Sequence, residues 1–515
     1  MKELLTALAM VMSLTVLAQP GTLDSSFGTD GIVTTSIGAE NDQAYAVAVQ
    51  DDGKIILGGS SYVGSVSDFT MVRYNADGSL DQNFGNGGKV ITTFSPNAFS
   101  VIRALTILPD GKILAAGQTP DQGNYHITVV RYKEDGSLDA GFATGGKQVH
   151  NIASVSDSYV NGMAVQDDGK IVVGGYVSGF DFMLARFNEN GSVDAGFGSN
   201  GSFITEVGDG IALGSDVALQ SDGKILLAGR AINVAVNNFA LIRCNTDGTL
   251  DAGFGDAGQV MMPISTGFEE AKKVIVQPDG KILLVGHAEA GSGFEFAIMR
   301  LKADGTLDNS FGNSGSALVS FGTPDAFATA VVLQSDGKMV VAGYTGSSNT
   351  TWKFALARLN ADGTLDQGFG IGGKLTTAVG TTFDYCQAVA MQPDGKIVAA
   401  GYSDSGANFD FAAARYLSGL NVGIVDFSIS ENSVLIYPNP VNQNSIFKYT
   451  LTSTERITID LVDINGKRLQ RFVDQEWKEA GPHQQPVRIS EEIPSGNYFL
   501  ILSNSKGQVA IKIFK

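Results

Sequence analysis

Two cysteines, four histidines, two tryptophans and only 35 lysines and arginines stand in a chain of 515 residues. Each shortage removes a class of function. Cys244 and Cys386 fall at unrelated places, and Cys244 simply occupies the position after an arginine where other segments carry Tyr or Phe, so a disulfide framework is not expected. The histidines (His126, His150, His287 and His483) are scattered without ligand spacing, and no zinc motif, phosphate loop or nucleophile elbow occurs. Against 53 Asp and Glu the few cations leave a formal charge of −18. Nucleic acids and anionic membrane surfaces need clustered Lys and Arg, so neither is an expected partner. The longest apolar stretch, Leu4 to Leu17, is too short for a membrane span. With Lys2 before it and Val16-Leu17-Ala18 at its end offering a cleavage site before Gln19, the stretch reads as a secretory signal peptide over residues 1–18. The mature chain is expected to be exported and to lack a membrane span.

Glycine is abundant: 64 residues, well above the usual share of about 7%. Without a collagen period, such a content predicts many tight turns in an all-β chain. The turns are visible. Ala44–Val49 and Ile55–Gly58 flank Asp52-Gly53, and two apolar runs about an Asp-Gly pair predict a hairpin with a type I′ turn. The hairpin recurs with its turn glycine at Gly111, Gly169, Gly223, Gly280, Gly337 and Gly395, at intervals of 54 to 58 residues. Each repeat adds a strand such as Asp68–Tyr74, a polar linker such as Asn75–Gly85, and a strand such as Gly88–Phe94. The hairpin arms are apolar on both faces, so both faces are expected to be buried. Seven units of four antiparallel strands, packed radially, make a seven-bladed β-propeller over residues 19–417.

The Leu-Asp-x-x-Phe-Gly linker, recurring in fixed order with the Asp-Gly-Lys hairpin over about residues 20–416, resembles the delta-60 repeat, a bacterial family thought to form β-propellers. The resemblance implies a fold and no catalytic residues.

After Tyr416 the repeat stops. Residues 418–433 read as a linker, and residues 434–515 contain about seven short strand candidates, including Ile446–Leu451, Ile457–Val462, Arg468–Val473, Val487–Ile489, Tyr498–Ser503 and Val509–Phe514. They predict a small β-sandwich. Its 10 Lys and Arg against 8 Asp and Glu leave a formal −20 on the rest of the chain. Tyr437-Pro438-Asn439-Pro440, Asp463-Ile464-Asn465-Gly466-Lys467, Ser495-Gly496-Asn497-Tyr498 and the final Lys512–Lys515 resemble the type A C-terminal sorting domain of the type IX secretion system of Bacteroidota. The resemblance implies the type IX machinery as a partner, removal of this domain, and release or attachment at the outer cell surface.

Residues repeated seven times are expected to be structural. One repeated pattern, Asn75-x-Asp77-Gly78-x-x-Asp81, has oxygen ligands at alternating spacing, as calcium loops do. No acid follows at the twelfth position, and Lys133 and Lys302 replace the first ligand in two copies, so plain Asp-Gly turns are the simpler reading and no metal or cofactor is expected. A site is better sought where the repeat varies. The residue closing the second hairpin arm is Ser60, Gln118, Tyr176, Arg230, His287, Tyr344 and Tyr402 in turn. On one rim, Tyr176, Arg230, His287, Tyr344 and Tyr402 would suit recognition of a glycan or a protein. The alternative is a set of solvent-facing strand ends under no shared demand. The function expected is therefore non-enzymatic binding; the rival is a secreted carbohydrate-active enzyme with a carboxylate pair at the propeller axis.

Ring closure carries its own expectation. The arginines Arg73, Arg131, Arg186, Arg243, Arg300 and Arg358 each precede a linker aspartate (Asp81, Asp139, Asp194, Asp251, Asp308 and Asp366), whereas Arg415 has none after it and Asp24 has no arginine before it. An arginine packed between blades needs a fixed partner. Asp24 is therefore expected beside Arg415, with the N-terminal segment docked on the last repeat.

Overall fold

The computed structural model describes residues 19–64, 66–94, 99–234, 236–347, 351–419, 435–437, 441, 445–451, 454–463, 467–494, 496–503 and 508–515. The expected signal peptide, most of the expected linker, and Pro438, Asn439, Pro440 and Gly466 lie outside these residues. Contacts divide the chain into two compact units, residues 1–419 and 420–515. No helix occurs among the described residues, and none is long and apolar enough to cross a membrane.

The first unit consists of seven four-stranded antiparallel sheets. In the first blade the strands, from inside outward, are Asp42–Val49, Ile55–Val63, Val66–Tyr74 and Lys89–Thr92. The hairpin thus supplies the inner two strands, and the strand after the linker is the outermost. The Asp-Gly turn differs from the type I′ expectation. Gly53 N–H donates to Gln50 O and Gln50 N–H to Lys54 O, and only Gly53 has positive φ, at 82°. This is a three-residue loop with glycine in the left-handed position, a geometry that Asp52 serves by accepting from Lys54 N–H at 3.1 Å. The same turn recurs in every blade.

Second strands are almost wholly buried, as are all five residues of Ile225–Gly229, while inner strands alternate buried and half-buried residues. The hydrophobic clusters explain the difference, because each of seven joins neighbouring blades. Strands packed between two sheets bury both faces, whereas the innermost strand borders the axis.

The last blade is completed from the start of the described chain. Ile32–Thr35 pairs with Phe409–Tyr416, in the register Ile32↔Ala414 to Thr35↔Phe411. Arg415 Nη2 lies 2.8 Å from Asp24 Oδ2, matching the 2.7–2.9 Å of the six in-repeat pairs. One detail differs: the six arginines donate to their aspartates through Nε, whereas Nε of Arg415 is buried without a partner. Each arginine also covers a linker phenylalanine, Arg73 over Phe84 at 4.4 Å and Arg415 over Phe27 at 4.6 Å. Each donates through Nη1 to a carbonyl of the next turn; Arg131 reaches Glu189 O at 2.8 Å, and Arg415 reaches Ala76 O in the first blade. The ring is therefore closed by the same cation-π, ion-pair and hydrogen-bond cluster that joins every other pair of blades.

The second unit is a sandwich of a three-stranded and a four-stranded sheet around one core that includes Phe447, Ile459, Leu461, Leu500 and Ile513. Val487 and Ile489 are core residues rather than a strand; the strand expected there lies at Gly481–Pro486 and pairs with Ile446–Leu451. Tyr498 Oη donates to Pro494 O at 2.7 Å, Gly496 and Lys515 exchange two backbone hydrogen bonds at 3.0 Å, and Lys467 N–H donates to Asp463 Oδ1 at 2.9 Å.

Candidate functional site at the propeller axis

The inner strand of every blade contains a β-bulge at the same place. In the first blade the register passes from Ala44↔Gly59 to Ala46↔Gly58, leaving Tyr45 as the extra residue. The residues so displaced in the other blades are Arg103, Asn161, Ser215, Lys272, Thr329 and Gln387. The bulge needs a glycine on the second strand. A Cβ on Gly59 would lie 1.8 Å from Gln43 O, and one on Gly175 would lie 1.9 Å from Tyr159 O. At the other five positions the gap is 1.9–2.0 Å. The repeated glycine is thus a backbone-clearance residue, and it leaves the bulged residue free to vary.

All seven bulged residues line one cavity of about 310 Å³, joined there by Tyr176, Leu213, Glu270 and Lys273. A second cavity of about 290 Å³ shares Tyr45, Arg103, Asn161 and Tyr176 with the first and extends over Tyr62, Phe99, Tyr125 and Tyr159. Both volumes fall at the small-ligand end of the usual pocket range of about 300–1,000 Å³. Adjacent blades fix several of the lining side chains. Asn161 Nδ2 donates to Gly214 O at 2.8 Å, and Thr329 Oγ1 donates to Cys386 O at 2.9 Å. Arg103 lies over the Tyr45 ring at 4.1 Å, and Tyr45 Oη donates to Gln43 Oε1 at 2.8 Å.

Charge is unevenly spread around this ring. Lys272 Nζ is 2.7 Å from Glu270 Oε1, and Lys273 Nζ is 3.0 Å from Asp216 Oδ1. His287 Nε2 lies 3.8 Å from Glu270 Oε2, and Arg230 Nε lies 3.9 Å from Glu270 Oε1. Burial raises the Glu270 carboxyl, but Lys272, His287 and Arg230 together hold it below its ordinary value. Burial pushes His287 down to about 4 against the pull of Glu270, so its ring is neutral at pH 7. Arg103 makes no ion pair with a carboxylate among the described residues, and its buried Nε has no hydrogen-bond partner.

The rim residues expected from sequence lie one strand behind this ring. Ser60, Gln118 and His287 are buried, and Tyr176, Arg230, Tyr344 and Tyr402 are half-buried. They are brought together through inner-strand neighbours. Tyr344 and Tyr402 both pack on Tyr385 (5.0 and 5.1 Å), Tyr402 on Tyr45 (5.8 Å), and His287 on Phe327 (4.8 Å), which packs on Tyr344. Tyr176 stacks on Tyr159 at 4.8 Å and reaches both cavities. Burial pushes the Tyr344 hydroxyl up to about 12. The bulged residues themselves were not anticipated. Each stands eight positions before its turn glycine, a fixed offset that the sequence carries.

The oxygens of the calcium-like pattern are engaged locally. Asp77 accepts from Ser79 N–H and Oγ (2.9 and 2.6 Å), and Asp81 accepts from Arg73 Nε. Among the described residues no group of three or more His, Cys, Asp or Glu is arranged to hold a metal ion. Cys244 and Cys386 are both buried free thiols in different clusters.

Seven segments, residues 50–84, 108–142, 166–197, 220–254, 277–311, 334–369 and 392–421, match the β-propeller domain of unknown function DUF5122. Residues 435–515 match the secretion system C-terminal sorting domain. A search of curated proteins found no match. Among solved structures, PorZ of the type IX secretion system of Porphyromonas gingivalis is similar at 11% identity and a TM-score of 0.39, with 94% of this chain and 60% of that one covered. The chain thus spans about three fifths of PorZ. A polysaccharide lyase of family PL25, an ulvan lyase, aligns at 14% identity and a TM-score of 0.44, covering 76% of this chain and 98% of its own. Sqt1 of Chaetomium thermophilum, bound to the N-terminus of ribosomal protein L10, aligns at 13% identity and 0.40, with coverages of 74% and 98%. The chain is a propeller of seven DUF5122 repeats carrying a type IX secretion sorting domain of the Bacteroidota kind, and hence a protein exported to the cell surface or secreted.

Proposed function

We propose that the propeller is a non-enzymatic binding module for an extracellular glycan, with its site at the axial cavity and the tyrosine-lined cavity beside it. One observation carries the reading: seven bulges deliver seven polar or amphipathic residues into one concavity, while the backbone that holds them is repeated without change. A saccharide presents hydroxyls along its edge and apolar C–H faces. Amide, hydroxyl and ammonium groups beside tyrosine rings answer both. The concavity favours a small or chain-like ligand over a protein partner, which needs about 800 Å² of surface on each side. The type IX sorting domain supports an extracellular meeting place for protein and ligand.

The rival reading, a carbohydrate-active enzyme at the axis, draws on the contact between Glu270 and His287. Against it, Glu270 is the one carboxylate among the described residues lining the axial cavity, whereas hydrolysis of the usual glycosidase kind employs two. The test is a glycan array probed with the full chain, with and without calcium, followed by reducing-sugar and unsaturated-product assays on every glycan bound. Binding without turnover that is lost in Tyr176→Ala supports the proposal. Turnover that disappears in Glu270→Gln would replace binding by catalysis.

A further inference from the structure

Building on that reading, we infer that the glycan is acidic: an anionic sugar unit sits at the axis against Arg103, while a neighbouring ring stacks in the tyrosine-lined cavity. The charge balance of the axial ring leads there. Three cations line the cavity, and two of them are compensated, Lys272 by Glu270 and Lys273 by Asp216. Arg103 makes no ion pair with a carboxylate among the described residues, and its Nε is buried without a hydrogen-bond partner. Its guanidinium lies over the Tyr45 ring and faces the cavity with no carboxylate beside it among the described residues, so an anion entering the cavity meets an unpaired cation. Guanidinium is also the group best suited to carboxylate or sulfate, because it donates two parallel hydrogen bonds.

Geometry then places the rest of the ligand. Arg103, Tyr45, Asn161 and Tyr176 form the wall shared by the two cavities, so a unit bound at Arg103 has its chain neighbour beside Tyr159 and Tyr176. These two rings are stacked at 4.8 Å and 21°, and Tyr125 continues the set at 5.5 Å from Tyr159. All three rings line the second cavity, where a pyranose ring would lie against aromatic side chains. Carboxylate and sulfate share the required chemistry, and the experiment separates them.

The full chain is titrated with acidic oligosaccharides (galacturonan, alginate, chondroitin sulfate and heparin fragments), with their carboxyl-reduced or desulfated counterparts, and with neutral β-glucan and xylan fragments. The expected result is binding to at least one acidic fragment that weakens at least tenfold on neutralising its charge, weakens in rising salt, and weakens at least tenfold in Arg103→Gln. Carboxyl reduction and desulfation tell which anion is read. Tyr159→Ala should weaken acidic and neutral fragments alike. Unchanged circular dichroism and melting temperature in Arg103→Gln show that folding is not the cause. Tyrosine-dependent binding of neutral fragments that ignores Arg103→Gln would overturn the acidic ligand and leave glycan binding standing. No binding to any fragment at millimolar concentration would overturn both.

Discussion

The two ends of the propeller blades obey opposite rules. At the junctions near the Asp-Gly turns, the same arginine, aspartate and linker phenylalanine recur seven times, with ion-pair distances confined to 2.7–2.9 Å. At the bulges of the inner strands, the seven side chains are all different and all reach the axis. The contrast separates the residues that hold the ring together from those that line its axial cavity. A junction cluster is buried between blades, so every copy meets the same desolvation demand and arrives at the same answer. The backbone of a bulge is accommodated by a glycine on the neighbouring strand, so the bulge does not prescribe one side chain.

The sharpest way to break this comparison is to remove one junction. Deleting residues 19–35 takes away the outer strand of the last blade, Phe27 and the partner of Arg415. The cooperative unfolding transition should be lost, seen as proteolysis of the propeller under native conditions and a collapsed melting curve. A deletion protein that melts like the intact chain would mean that closure is not a structural demand.

Next in size is Gly175→Ala, a change of one methyl group. Its Cβ would meet Tyr159 O at 1.9 Å, so the bulge must be abandoned or the strands must part. The expected cost is about 3–5 kcal/mol, read by denaturant unfolding. A cost below about 1 kcal/mol would show that the bulge does not depend on its glycine.

Acid should act on the junctions. Hydrogen bonding from Lys224, opposed by burial and aided by Gly253 N–H and Arg243, holds the Asp251 carboxyl at about 2. For Asp24, burial raises the carboxyl, but the Ser26 hydrogen bonds, Arg415 and Lys396 outweigh it. Asp139, Asp194 and Asp366 are likewise depressed, each by hydrogen bonds and its arginine against burial. Carboxyls whose folded pKa lies below the unfolded value stabilise fully above about pH 4. The unfolded chain takes up protons first as the pH falls, so this stabilisation drains away toward pH 2. Melting temperature should therefore be flat from pH 7 to 5 and fall steeply below 4; a rise on acidification would contradict the junction pairs.

The smallest effect sharpens the comparison. Exchanging the bulged residues Ser215→Asn and Gln387→Ser should change stability by no more than about 0.5 kcal/mol each, measured by denaturant unfolding, while altering which glycans bind. A large loss of stability from either would place the bulged residues with the framework.

Much of this was legible before any coordinates. Period and turn glycines specified seven blades, because every blade repeats one packing problem. The unmatched Asp24 and Arg415 pointed to closure, because a buried charge requires its counterion wherever the chain supplies it. The axial site was legible only in part. Tyr176, Arg230, His287, Tyr344 and Tyr402 are visible as a varying column on the second strand, whereas Tyr45, Arg103 and Lys272 reach the axial cavity through bulges of the first. A bulge is a register shift between two strands, and register belongs to a pair rather than to either segment. Sequence alone thus determined the repeat, the export address and the pairing that closes the ring, since these rest on local pattern and on charge counting. Which strand lies innermost, and which seven residues meet at the axis, was decided only by packing blade against blade, because that placement depends on contacts between segments more than fifty residues apart.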